Sequence, residues 1–315
     1  MMLARVADSL YWLGRYIERA EHLSRLSSVM MNATLDQTDS GTQAVQIAMA
    51  AVGEPGDGID IGSFEAAEAL VLDRSDPNSV VSSLARAREN ARQVRDQITT
   101  ETWERLNLLY LKVTDEKAAK AFSDGSANFL HDVIADLHLF KGAADTTMSH
   151  GESWRFMMLG AYMERAHLVS RLLEVCFAES PTHGQVDDHV ALVSVLRMAC
   201  ALEPYLRVYT AEIEPRHILE FLVFDEEFPR SIRFATAQIE QHLSALARSV
   251  ASSERGGPER LAGRLKARLQ FADVDELEAV GAGPLLNTVV NECARIHEAI
   301  YETFVAYPLE MRLPA

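Results

Sequence analysis

Leu13-Gly14-Arg15-Tyr16-Ile17-Glu18-Arg19-Ala20 returns 146 positions later as Leu159-Gly160-Ala161-Tyr162-Met163-Glu164-Arg165-Ala166. Ser24-Arg25-Leu26 and Ser170-Arg171-Leu172 extend the match at the same offset, giving nine identities in fourteen positions. Val6, Leu10, Leu13, Ile17, Ala20, Leu23 and Leu26 recur three and four apart, the period of an amphipathic helix. A second block repeats at an offset of 152, where Leu70-Val71-Leu72-Asp73 with Pro77, Ser79 and Val80 matches Leu222-Val223-Phe224-Asp225 with Pro229, Ser231 and Ile232. Repetition at about half the chain length predicts two copies of one helical unit packed about a pseudo-twofold, not a solenoid of short repeats. The expectation is an all-α helical bundle in one domain, 1–315, with halves of approximately 1–125 and 126–315.

Outward from the repeat, strand signals are nearly absent. The spacing predicts helices over 43–53, 63–73, 78–98, 100–114, 126–148 and 152–178, then over 187–209, 215–223, 230–253, 258–271 and 284–306. Asp76-Pro77-Asn78 and Phe228-Pro229-Arg230 place a proline ahead of a helical pattern, where its missing N–H costs little, and Pro284 is expected to open the last helix. Glycine and proline mark loops at 53–58, 180–184 and 252–258.

Thirty basic against 46 acidic residues give a formal charge of -16, which repels nucleic-acid backbones and anionic membranes. No apolar run reaches the roughly 18 residues of a membrane span. Cys176, Cys200 and Cys293 form no short-spaced pair, so neither a disulfide framework nor a zinc knuckle is indicated, and a cytoplasmic location is expected.

Adjacent helix residues point about 100° apart, so Glu18 and Arg19 cannot pair with each other as i, i+4 neighbours do. Gly14, Glu18, Glu21 and Arg25 form a stripe that Gly160, Glu164, His167 and Arg171 reproduce. A mid-helix glycine costs about 1 kcal/mol relative to alanine, so a glycine at the same place in both copies implies a close neighbour. One reading has Glu18 and Glu164 accept hydrogen bonds from arginines of their own half, fixing helix register, with Arg86, Arg88, Arg92 and Arg95 as donors beside Glu89. A second has two sets, Arg15, Glu18, Arg19 and Arg25 with Glu164, Arg165 and Arg171, converge on a polar cleft for a carboxylate, peptide or phosphate. A third makes the glutamates catalytic, which requires a raised pKa in a pocket.

The junction before the second copy holds His138, Asp145, His150 and Glu152; Ser149 or Gly151 is expected to cap a helix there, with Glu152 in its first turn. Asp132 and Asp136 lie i, i+4 beside His131 and His138, but no further ligands are specified, so no metal or cofactor is expected. A magnesium-diphosphate enzyme would need a second aspartate-rich helix, which is not evident. No nucleophile motif or phosphate loop occurs. Tyr11, Trp12, Tyr16, Trp154, Phe156 and Tyr162 are expected in the core, as are Trp103 and Tyr110.

The segment Arg5 to Glu21 and the segment Met148-Ser149-His150-Gly151-Glu152 through Glu164-Arg165-Ala166 resemble the bacterial alpha-E family, named for a helical domain with a Glu-Arg motif. The resemblance includes Ala87-Arg88-Glu89-Asn90-Ala91-Arg92, Trp103-Glu104, Leu106-Asn107 and Phe228-Pro229-Arg230-Ser231-Ile232-Arg233-Phe234. One departure is Ala161, where the first copy has Arg15. The family is a domain of unknown function. Its gene neighbourhoods imply a circularly permuted ATP-grasp ligase-like partner, a transglutaminase-like protein and sometimes a proteasome-related peptidase, in a pathway that makes or modifies a peptide. The resemblance thus implies a non-catalytic helical accessory protein of an amide-ligase system that binds its partner or a peptide. The competing readings are an enzyme of that pathway using a Glu/Arg/His cleft for acyl or amide chemistry, and a homo-oligomeric structural protein.

Overall fold

The two copies of the repeated motif lie on α1 (Ala4–Ala33) and α7 (Glu152–Phe177), which pack directly against each other. In this computed structural model residues 2–33, 39–53, 63–178, 186, 188–210, 212–249 and 257–306 are described. Over them the chain is all-helical, with no strand. Contacts advance together along both helices, from Tyr11 beside Gly160 through Arg15 on Glu164 to Glu18 on Arg165, so the helices run the same way through the crossing. Leu10, Leu13 and Ile17 of α1 and Leu159, Met163 and Ala166 of α7 are all buried.

The glycines set the approach. A Cβ on Gly14 would lie 1.9 Å from the Met157 carbonyl oxygen, and one on Gly160 would lie 1.9 Å from the Tyr11 carbonyl oxygen. Each glycine therefore faces the backbone of the other copy, which answers what stands beside them: a helix.

Around this pair, α2 (Asp39–Ala51), α3 (Ser63–Leu72), α4 (Val80–Gln93) and α6 (Ala118–Thr147) pack on α1, and α5 (Thr100–Thr114) packs on α6. Beyond α7 come α8 (His189–Met198), α9 (Leu202–Tyr209), α10 (Pro215–Leu219), α11 (Ile232–Ser249), α12 (Pro258–Phe271), α13 (Val274–Val280) and α14 (Ala282–Ile300). Helices α11 and α14 cover α7, and α12 bridges them. π-helical turns follow α10 at Glu220–Phe224 and α14 at Tyr301–Val305.

The second repeated block folds alike in both places. Ser79 caps α4, its hydroxyl donating to the Asp73 carbonyl at 2.6 Å and accepting from the Ser82 N–H at 3.2 Å. Ser231 donates to the Asp225 carbonyl at 2.5 Å and accepts from the Phe234 N–H at 3.0 Å, at the head of α11. Asp73 and Asp225 in turn accept backbone N–H groups from Ser75 and Glu227.

Several boundaries differ from expectation. The helix expected over 187–209 is two helices meeting at 119°, because Cys200 takes a left-handed conformation (φ 57) and Pro204, in the first turn of α9, excludes a continuous helix through it. Helix α6 starts at Ala118, ahead of the expected 126, and leaves helical geometry at Gly125. The helix expected to 98 ends at Gln93, and α13 was not anticipated. Gly281, not Pro284, precedes the last helix; Pro284 sits in its first turn. Gly151 caps α7 without a side-chain bond, so the Ser149 alternative falls, while Glu152 occupies the first turn as expected. The loops expected at 53–58, 180–184 and 252–258 lie outside the described residues apart from Gly53, Gly257 and Pro258.

Candidate functional site

The Glu-Arg pair of each copy is divided between the copies. Glu18 of α1 accepts from Arg165 of α7 at 2.7 Å and 2.9 Å, and Glu164 of α7 accepts from Arg19 of α1 at 2.6 Å. Arg15 adds a bond to Glu164 at 2.7 Å. Each glutamate thus reaches across the seam to the arginine that follows its counterpart. Both carboxylates are buried, with 1% of the side chain exposed, so pairing is a condition of their being there.

Glu18 has further cations. Lys141 of α6 donates to it at 2.6 Å and also bonds Glu21, while Arg230, just ahead of α11, contacts both Glu18 and Glu21. Glu21 is held in addition by Arg25 at 2.8 Å and faces His138 at 3.3 Å. Four cations, Arg25, Lys141, Arg165 and Arg230, therefore surround two carboxylates. The cluster carries surplus positive charge in a chain of net charge -16.

These surroundings fix protonation. Burial pushes the Glu18 carboxyl up, but Arg165, Lys141 and Arg230 together outweigh it and hold it well below the usual carboxylate range. Burial is likewise outweighed at Glu21 by Lys141 and Arg230, and at Glu164 by Arg15 and Arg19. At neutral pH all three are ionised hydrogen-bond acceptors without a proton to give, and their lone pairs already face donors. This geometry fixes helices; it does not poise an acid or base.

The own-half donors expected for the glutamates are a correction, because the arginines of α4 and of the turn after it point elsewhere. Arg88 donates to Asn107 at 2.8 Å and lies 4.7 Å from the Tyr110 ring centre; Arg92 pairs with Glu89 on the surface at 2.7 Å; Arg86 and Arg95 lie over Tyr16 and Trp103. The junction residues do not converge either. Asp145 faces His150 at 3.6 Å on the surface, where the His150 ring stacks on Trp154 at 3.9 Å; Arg171 pairs with Glu174; only His138 joins the Glu21 cluster. Asp132 and Asp136 both approach Lys112, at 3.4 Å and 2.9 Å.

A family described as a predicted alpha-helical domain with a conserved ER motif, Alpha-E, matches residues 2–305. The chain belongs to the Alpha-E family. Among its relatives are an uncharacterised protein of Mycobacterium bovis and two of Mycobacterium tuberculosis, each 27% identical over 94% of this chain. The chain spans 35% of the length of those relatives. No solved structure matches it.

In this Alpha-E chain the two copies differ beside the glycines. In the first, Arg15 lies 4.8 Å from the Trp12 ring centre and 5.8 Å from that of Tyr11, and Tyr11 stacks on His297 of α14 and bonds it at 3.0 Å. In the second, the positions of Tyr11, Trp12 and Arg15 are taken by Met157, Met158 and Ala161. Those three line a cavity of about 220 Å³ between α1, α6 and α7, with Lys141, Asp145 and Arg165 around it. Sequence reasoning missed Lys141 and Arg230. A signal existed for Arg230, which at the offset of 152 replaces Asn78, the residue that accepts from Arg19 at 3.3 Å.

Proposed function

We propose that this Alpha-E chain is a non-catalytic helical accessory protein that binds a partner or peptide in an amide-ligase pathway, the partner being a circularly permuted ATP-grasp ligase-like protein. The observation that carries the non-catalytic reading is the state of Glu18, Glu21 and Glu164: buried, ionised and saturated by cations. The placement of His150 and Glu152 away from that cluster, with Asp145 at an exposed rim and in no bond with the glutamates, removes support from the enzymatic alternative. The crossed Glu-Arg pairs, reciprocal glycine contacts and matching Ser79 and Ser231 caps support two halves, 1–125 and 126–315, related by a pseudo-twofold within one domain. The much greater length of the mycobacterial relatives supports a domain that works joined to other chain.

For docking, a groove of about 460 Å³ between α12, α13 and α14 presents Phe271, 82% exposed, and Val280, 66% exposed. A ligase surface with apolar residues fits it. Free thiols at Cys176, Cys200 and Cys293 support a reducing, cytoplasmic location. Co-purification with the ATP-grasp partner of the same cell tests the proposal, with Phe271→Asp and Val280→Asp expected to abolish it. A ligase that neither binds this chain nor changes activity in its presence would overturn the reading.

A further inference from the structure

The repeat fills one copy of a site and leaves the other hollow. Where Arg15 lies against the edge-to-face rings of Tyr11 and Trp12, Met157, Met158 and Ala161 leave the cavity of about 220 Å³ beside the bare backbone of Gly14. We propose that this cavity binds one free α-amino acid with an apolar side chain, of leucine or methionine size.

Size and lining choose the side chain. An apolar protein cavity of about 150 Å³ takes a benzene ring, so by proportion this one takes roughly eight or nine non-hydrogen atoms, the count in leucine. The walls are apolar, with Met157, Ile17 and Phe140 each about 3% exposed or less. Methionine adapts its shape to what it contacts, so a Met-lined pocket accepts branched and linear side chains alike.

The rim chooses the zwitterion. Lys141 gives two of its three N–H groups to Glu18 and Glu21, and Arg165 divides its guanidinium between Glu18 and the Pro229 carbonyl, leaving N–H groups on both for a carboxylate. Four cations around two carboxylates leave positive charge that an incoming carboxylate compensates. Asp145 lies one turn beyond Lys141 on α6, on the same helix face, and supplies the opposite charge for the ammonium. Asp145 is exposed, and its ion-pair distance to His150 is a loose 3.6 Å, so it is available. An apolar carboxylic acid without the amine would leave this aspartate opposing it.

The proposal stands apart from the ligase partnership, because it concerns the purified chain alone. Isothermal titration of that chain with leucine, methionine and phenylalanine is the test, with 4-methylpentanoate and N-acetyl-leucine as ligands lacking the ammonium. Saturable binding is expected with Kd between roughly 10 µM and 1 mM for leucine or methionine. Both ammonium-free compounds should bind at least about tenfold more weakly, the scale of one lost charge-assisted hydrogen bond. Ala161→Leu should abolish binding by filling the cavity, and Asp145→Asn, at an exposed position, should weaken it about tenfold without disturbing the fold. Absence of binding at about 10 mM of any of the three amino acids, binding unchanged in both variants, or equal binding of 4-methylpentanoate would each overturn the assignment.

Discussion

Replacing Gly14 with alanine adds one carbon where the opposite helix leaves no room. Its Cβ would stand 1.9 Å from the Met157 carbonyl oxygen, 2.9 Å from the Met157 carbonyl carbon and 3.0 Å from the Ala161 nitrogen, all backbone atoms that no rotamer change can move. A comfortable C···O contact is about 3.3 Å or more, so α1 and α7 must part by roughly 1.4 Å locally. A gap of half to one ångström already forfeits about a quarter to a half of each dispersion contact, and Leu10, Leu13, Ile17, Leu159 and Met163 all lie on these two helices. Overpacking costs about 1–3 kcal/mol and more when nothing yields, while alanine returns about 1 kcal/mol of helix propensity. Gly14→Ala should therefore destabilise by about 2 kcal/mol, read as a lower urea midpoint by circular dichroism. Gly160→Ala should do the same against Tyr11, and the double variant should cost less than the sum, because one parting of the helices relieves both clashes. Gly142→Ala is the internal control: it lies within α6 with nothing within 4 Å of its Cβ, and it should stabilise by up to about 1 kcal/mol. A Gly14→Ala protein as stable as Gly142→Ala would refute the close approach.

Other perturbations probe separate parts of the structure. Ser79→Ala and Ser231→Ala each remove a buried cap hydroxyl that donates to a carbonyl, shared at Ser79 between Asp73 and Asp76, and accepts one N–H, and each should lower stability by about 1–2 kcal/mol in chemical denaturation, by similar amounts at the two sites. His22 is buried, and burial first, then Arg230, lowers its pKa from 6.5 to about 4. The folded chain keeps it neutral while the unfolded chain takes up a proton below about pH 6.5, so stability should fall as pH drops from 6.5 towards 4, by roughly 3 kcal/mol in all. His22→Leu should remove its share of that slope in urea midpoints measured between pH 7 and 5, leaving the share of His242, which burial likewise lowers to about 4; an unchanged slope would assign it elsewhere. The glutamate contributions, with pKa values held down in the fold, are present above about pH 4.3 and are lost only as pH falls through their lower folded values. Burial pushes the thiols of Cys176 and Cys293 up, the latter to about 12, so a thiol reagent on the native protein should modify Cys200 alone and reach the others only on unfolding.

Much of the framework was legible because the chain repeats itself. The 146-residue offset located α1 and α7, and the 152-residue offset located two capping turns that fold alike down to the Ser79 and Ser231 hydroxyls. The glycines announced a close neighbour. Their partners were not legible, because helical periodicity says which face is buried but not which helix lies on it. Thus Glu18 was expected to meet arginines of α4, whereas it meets Arg165, 147 residues away, and Lys141, a single basic side chain between the buried Phe140 and Ala144 of α6. The break at Cys200 did leave a signal, because Pro204 stands four residues on and its ring excludes a continuous helix through Cys200, but the helical periodicity of 187–209 ran across it. The departure at Ala161 was visible, but its consequence was not: read alone it removes a charge, and only beside Met157 and Met158 does it open a cavity.

The crossed pairing of the duplicated motif is tested most directly by a double-mutant cycle between Glu164 and Arg19, using Glu164→Gln and Arg19→Met with stability measured by urea unfolding. Their bond of 2.6 Å, between the buried Glu164 and the half-buried Arg19 on different copies, predicts a coupling of about 1–3 kcal/mol. The same cycle between Glu164 and its sequence neighbour Arg165, which serves Glu18 instead, should give a coupling within about 0.5 kcal/mol of zero. Coupling confined to the neighbour pair, with none across the seam, would contradict the division of the Glu-Arg motif between α1 and α7.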